Sequence, residues 1–352
     1  MRYIEYIILF CLKKLNGERT IYSIYHLLKG KKSSQTIQDA HLFGLIRFFR
    51  IYEPLTRETL EEVIQNALEH KWISPCEGQR FLLTNLGEEK INLFRENHTD
   101  PIYINGWQFN SVAQQFWERL TMLIQVVSNL VFQETHYIPI QKNKTVHIWL
   151  KSFLKNNQLD RILLGKTIFS ELLDCLEDTN EFDPSVIIFR LTGYKRIGLT
   201  SLQTAEKLGM EFSSYHIAFQ NVLHYLIQQV KTDINRYPVL SFLLVDIKEN
   251  SLLTNSSQIT FDLVQKGCSI EEIAKRRHLK TSTIEDHIVE IALKIEEFSI
   301  DPFIDYGIQK KIISVARKSA TKQLKLIRSS VDSANYFEIR LVLAKYGAKQ
   351  WN

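Results

Sequence analysis

Cysteine is scarce and scattered in this chain. Its four copies, Cys11, Cys76, Cys175 and Cys268, stand far apart, so neither a zinc-ligand pair nor a disulfide framework is indicated, and a reducing cytoplasm is the expected setting. Glycine and proline are also sparse, 13 and 7 in 352 residues, which argues for a mostly helical protein with short connections. The phosphate-cradling pattern G-x-x-x-x-G-K-[ST] is missing, and with it a helicase motor. The ten histidines form no H-E-x-x-H or other metal spacing, and there is no G-x-S-x-G elbow. Acid pairs at Glu271-Glu272, Glu285-Asp286 and Glu296-Glu297 fall on helical patterns and read as solvated faces. No catalytic residue, metal or cofactor is therefore expected, and the chain is read as non-enzymatic. No apolar run approaches the ~20 residues that cross a bilayer. The short run Tyr6–Leu12 follows Glu5, precedes Lys13 and Lys14, and has no small-residue cleavage site. It is read as a helix rather than a leader, with Ile4, Ile7, Ile8, Cys11, Leu12 and Leu15 on one face.

What the chain does have is apolar content and unevenly placed charge. At 45% hydrophobic residues it can bury two or three cores. The net charge of +5 hides a pattern: residues 1–56 hold nine Lys/Arg against four Asp/Glu, and residues 303–352 hold ten against three. The middle is therefore negative, and the two ends have the stronger claim on a polyanion.

The expected fold class is mostly α and multi-domain. Residues 1–97 form a first unit, with helices to Leu15, over Thr20–Leu28, Ser34–Phe49 and Arg57–His70. Two extended runs around Glu77-Gly78 then signal a hairpin, closing on Leu83-Thr84-Asn85-Leu86-Gly87. That close is winged-helix-like, and a helical domain with an added hairpin is the competing reading. Residues 98–250 read as a helical middle region. Within it, Leu199–Leu226 carries a helix-turn-helix signal: Ala205 and Gly209 sit four apart, Thr200 can cap the first helix, and Ser213 or Ser214 the second. Pro238 to about Ser257 reads as a separator before a C-terminal domain over 251–352.

The strongest signal lies at Gly267–Ile288. Ser269 and Glu272 form an S-x-x-E capping box, Ala274 supplies the small residue that two closely crossing helices need, and Ile284, Ile288, Ile291 and Ile295 continue a second helix. Lys280–Ser282 is expected to make the turn, with a hydroxyl capping the second helix.

Thr260, Leu263, Gly267, Ser269, Glu272-Ile273-Ala274, Arg277, Leu279, Ser282-Thr283-Ile284 and His287 resemble the helicase-associated helix-turn-helix domain at the C-termini of some RecQ-type helicases. Leu324–Ile327 and Tyr336–Leu341 fit the same resemblance, which covers residues 251–345. The whole chain resembles the YpbB-type proteins of Bacillus and its relatives, in which this module stands without a motor. The resemblance implies a non-enzymatic DNA-binding accessory, nucleoid-associated in the cytoplasm, acting with a RecQ-type helicase in repair or recombination. Similar spacing occurs in response-regulator output domains, so a transcriptional regulator remains an alternative, as does a protein-binding adaptor.

The candidate nucleic-acid-binding residues form two groups. Lys275, Arg276, Arg277 and Lys280 are placed to meet phosphates, with Thr281, Ser282 and Thr283 at the start of the second helix. Lys310, Lys311, Arg317, Lys318, Lys322, Lys325 and Arg328 alternate with apolar residues as a basic amphipathic surface. Arg276 and Arg277 are both expected to point partly to solvent. Against base reading, the second helix carries Glu285, Asp286 and Glu290, which phosphates repel. His287 is read as a packed core histidine.

Overall fold

The structure, a computed structural model, describes residues 1–98, 100–157, 159–177, 181–247, 253–319 and 321–350. The regular structure among these residues is helical apart from one two-stranded hairpin. Helix α1 (Tyr3–Leu15) buries the apolar stripe that its spacing predicts. α2 (Ile21–Lys29) ends at Gly30 with φ 74°, a left-handed C-cap that glycine adopts without steric cost. α3 (Ser34–Leu42) starts on Ser33, whose hydroxyl accepts from the Thr36 amide at 3.3 Å. The expected continuation to Phe49 does not form. Gly44 takes φ 65°, and only a 3-10 turn at Ile46–Phe48 follows.

α4 (Arg57–Glu69) leads into β1 (Ile73–Cys76) and β2 (Arg80–Leu83), an antiparallel pair with Ile73 opposite Leu83 and Cys76 opposite Arg80. Gly78 and Gln79, both at positive φ, close the hairpin where the sequence places it. α5 (Asn85–Asn97) follows directly.

α6 (Gly106–Val131) starts where the Asn105 side chain caps it by accepting from the Gln108 amide at 3.2 Å. Then come α7 (Lys144–Asn156), α8 (Arg161–Glu177), α9 (Ser185–Ile188), α10 (Ser201–Lys207) and α11 (Phe212–Thr232). The expected separator after Pro238 contains a packed turn of helix, α12 (Pro238–Ser241), with Val239 and Leu240 buried. The buried Glu171 carboxylate accepts from the amides of Val239 and Leu240 at 3.0 and 2.8 Å, which fixes the start of α12. The C-terminal elements are α13 (Asn255–Gln265), α14 (Ile270–Arg277), α15 (Thr281–Lys294), α16 (Tyr306–Lys318), α17 (Leu324–Ser330) and α18 (Tyr336–Gln350).

Two compact units emerge, and neither is continuous in sequence. One comprises Met1–Ile7 with Asn92–Glu249, the other Ile8–Ile91 with Asn250–Asn352. The sequence division at 97 and 251 separates segments that the second unit joins, since α3 packs against both α15 and α18. The core of the first unit is built around α11 with α6 and α8, through residues such as Phe116, Leu120, Ile168, Val222 and Leu226. The core of the second is built around α15, whose Ile284, Ile288 and Ile291 are fully buried.

Candidate nucleic-acid interface

The helix-turn-helix forms from its caps inward. The Ser269 hydroxyl accepts from the Glu272 amide at 3.2 Å, and the Glu272 carboxylate accepts from the Ser269 amide at 2.9 Å, completing the expected capping box. α14 buries Ile273 and Ala274 against its neighbours. It ends at His278, which takes φ 52°, so that the Leu279 amide returns to the Ala274 carbonyl at 3.0 Å.

The turn is therefore His278–Lys280, earlier than the sequence spacing suggests. Thr281, Ser282 and Thr283 belong to the first turn of α15, and Lys280 is its N-cap without a side-chain cap bond. The leading amides of such a helix lie outside its hydrogen-bond ladder and favour an anion. Lys275, Arg276, Lys280, Thr281 and Ser282 are exposed around this point, and Thr283 is half-buried.

Arg277 departs from its expected outward aim. Its guanidinium donates to the Ser256 carbonyl at 2.7 Å, to the Ser256 hydroxyl at 2.9 Å and to the Thr260 hydroxyl, tying α14 to α13. Burial lowers its pKa. With Thr260 accepting from Arg277, the Thr260 hydroxyl is free to donate to His287 Nδ1, 2.9 Å away. Burial, then the nearby Arg277 charge, pushes the pKa of His287 down. His287 is thus a neutral core histidine, as its sequence position suggests.

The acids of α15 are not arrayed towards solvent. Glu290 is buried and accepts from the Thr254 amide at 2.8 Å, the Ser257 hydroxyl at 2.6 Å and Lys294 Nζ at 2.7 Å. Burial raises the pKa of Glu290, but the Lys294 charge and these hydrogen bonds outweigh it, and the net shift is downward. Asp286 pairs with Arg340 of α18 at 2.6 Å. Arg340 in turn donates to the Gln38 side chain of α3 at 3.0 Å. Glu285 is half-buried, and burial raises its pKa.

The consequence for the second helix is enclosure. α15 packs against α3, α13, α14 and α18, and no residue from Thr283 to Lys294 is exposed. A helix that reads bases must lay side chains in the major groove. In this arrangement α15 offers only its first turn. Sequence reasoning missed Gln38 and Arg340, whose partners lie far along the chain. The Glu290–Lys294 pair was readable from its i, i+4 spacing.

The second group of basic residues divides. Lys310, Lys311, Arg317 and Lys318 lie exposed along α16, and Lys325 is exposed on α17. Lys322 turns inward: its amide donates to Glu18 at 2.7 Å and its Nζ to the Leu42 carbonyl at 2.5 Å. Arg328 donates to the carbonyls of Val331 and Asp332, closing the end of its own helix. These two belong to the fold rather than to the outward basic face.

At 199–226, α10 and α11 form a helix pair joined by a short turn. Thr200 makes a full capping box with Gln203, Ala205 is buried, and Gly209 takes φ 63°. The cap of α11 is Glu211, whose carboxylate accepts from the Ser214 amide at 3.1 Å, in place of the expected serines. α11 exposes only Gln228 and Thr232.

Residues 256–343 match a helix-turn-helix domain family. Over 348 residues the chain is 33% identical to Protein YpbB of Bacillus subtilis (strain 168), covering 98% of each chain. The chain belongs to the YpbB family. The matched helix-turn-helix domain runs from α13 into α18. No solved structure matches the chain. No helix among the described residues is long and apolar enough to cross a membrane.

Proposed function

We propose that this protein is a non-enzymatic DNA-binding accessory that grips the phosphate backbone without reading sequence. The enclosure of α15 carries this reading: its first turn, beside Lys275, Arg276 and Lys280, is the part left open. The exposed cations of α16 and α17 add a second phosphate-binding face, and the hairpin-bearing N-terminal segment is read as winged-helix-like. The resemblance of the C-terminal module to that of RecQ-type helicases supports joint action with such a helicase on the nucleoid, in repair or recombination.

The test is a titration on single-stranded, duplex and forked DNA at several salt concentrations. Affinity should fall steeply with salt and vary little among duplex sequences. A strong preference for one duplex sequence would establish a regulator instead. Binding to none of the three would leave an adaptor. Co-purification with a RecQ-type helicase from the native cell, with DNA intact and digested, tests the partnership.

A further inference from the structure

The outer face of α8 has no covering among the described residues of its unit. Ile162, Phe169 and Leu173 fall on one side of the helix and are 54%, 66% and 41% exposed. Across from them Phe132, the C-cap of α6, is 61% exposed, and α6, α8 and the segment from Pro184 to Arg196 enclose an apolar groove of about 700 Å³ with Val127, Ile168 and Leu172 in its lining. A contiguous exposed apolar face of this kind marks an interaction site.

The charges on α8 point to the groove's occupant. Three charged residues line the groove, Lys166 and Glu177 on α8 and Arg196 on the loop after α9, and all three are exposed. Neither Lys166 nor Glu177 makes an ion pair with a described residue. They lie eleven positions apart on α8, about three helical turns, and so on the same flank to within about 20°. A single helix with a cation towards one end of its apolar stripe and an acid at the other complements its own antiparallel copy. A two-fold axis crossing α8 between Glu171 and Leu172 sets Lys166 of each copy opposite Glu177 of the other. The same operation brings Phe169 of each copy to the other's groove.

We propose that the outer face of α8 is a self-complementary surface through which the protein pairs with a second copy of itself, as an isologous dimer. This pairing is independent of the DNA-binding reading. A helix of another protein or an acyl chain would require no reciprocal placement of Lys166 and Glu177.

Sedimentation of the full-length chain across a wide concentration range tests the proposal. The native protein should show a concentration-dependent dimer. Phe169→Asp should remain monomeric where the native chain is dimeric, with an unchanged circular dichroism spectrum because the ring is exposed. Lys166→Glu and Glu177→Lys should each weaken the dimer about tenfold, since each turns two attractive pairs into repulsive ones. The double reversal Lys166→Glu with Glu177→Lys should restore it to within about twofold. A chain that is monomeric throughout, a dimer indifferent to Phe169→Asp, or single reversals that their combination fails to rescue would each overturn the proposal.

Discussion

The pairs α10–α11 and α14–α15 match position for position. Thr200 and Ser269 make capping boxes, Ala205 and Ala274 are buried, and Gly209 and His278 take positive φ. The amides of Met210 and Leu279 return to the carbonyls of Ala205 and Ala274. Every one of these pairs is separated by 69 residues (200 to 269, 205 to 274, 209 to 278). The correspondence extends into the second helices, where Asn221 and Glu290 stand at the same offset and each accepts from the backbone of a preceding segment, Tyr103 at 2.9 Å and Thr254 at 2.8 Å. The difference lies at the start of the second helix. α11 opens on an acidic cap, Glu211, whereas α15 opens on Lys280 beside exposed Lys275 and Arg276. The same local plan serves as scaffold in one place and as scaffold with a basic tip in the other.

The correspondence breaks most sharply at Asn221 and Glu290, because one is neutral and the other charged. Glu290→Ala removes the carboxylate beside Lys294, whose side chain is only 3% exposed. Breaking a buried pair from one side costs about 3–5 kcal/mol. Asn221→Ala strips an acceptor from a neutral amide and should cost about 1–3 kcal/mol. Urea denaturation measures both, and equal costs would show that the Glu290 charge adds nothing. The pH dependence follows from the depressed pKa of Glu290. Its contribution is present above the unfolded carboxyl pKa and is lost as pH falls through the lower folded value. Acid should therefore narrow the stability gap between native protein and the Glu290→Ala variant.

The parallel pairs also mark what local sequence carries. Caps, small contact residues and turns depend on neighbours within a few positions, and the spacing around Ala205 and Ala274 exposes them. Enclosure of α15 depends on α3 and α18, and the Gln38–Arg340 contact joins residues 302 positions apart. No periodicity within 267–295 reports such a partner. The inward turn of Arg277 has the same origin, because its acceptors, Ser256 and Thr260, lie on α13. Lys322 likewise looks outward by composition and turns inward onto Glu18 and Leu42, 304 and 280 positions away.

Arg277 and its neighbours sharpen the comparison next, since adjacent basic residues are assigned opposite roles. Arg277→Ala should destabilise the protein by about 1–3 kcal/mol by stripping hydrogen bonds from buried Thr260 and from Ser256. The triple change Lys275→Ala, Arg276→Ala and Lys280→Ala should leave the melting temperature nearly unchanged. It should weaken binding about equally on all DNA sequences and reduce the salt slope by up to about three. Lys207→Ala on α10 should alter neither affinity nor slope. If the triple variant binds undiminished, the phosphate surface moves to the exposed cations of α16.

The smallest expected effect is the one on which the two pairs should agree. The hydroxyls of Thr200 and Ser269 each accept from the amide of the third helical residue, at 3.3 and 3.2 Å, and the amide of each donates in return to the Gln203 or Glu272 side chain at 2.9 Å. Loss of such a cap costs about 1 kcal/mol. Thr200→Ala and Ser269→Ala should therefore lower stability by similar amounts, although one pair is internal scaffold and the other carries the basic tip. No excess for either is expected from the reciprocal bond, because the backbone amide of residue 200 or 269 survives the change to alanine and still donates to the Gln203 or Glu272 side chain. At a temperature where both variants are folded, neither should change DNA affinity, since neither removes an exposed cation. A cap variant at Ser269 that is fully folded yet binds poorly would show that the start of α14, rather than the start of α15, faces the phosphates.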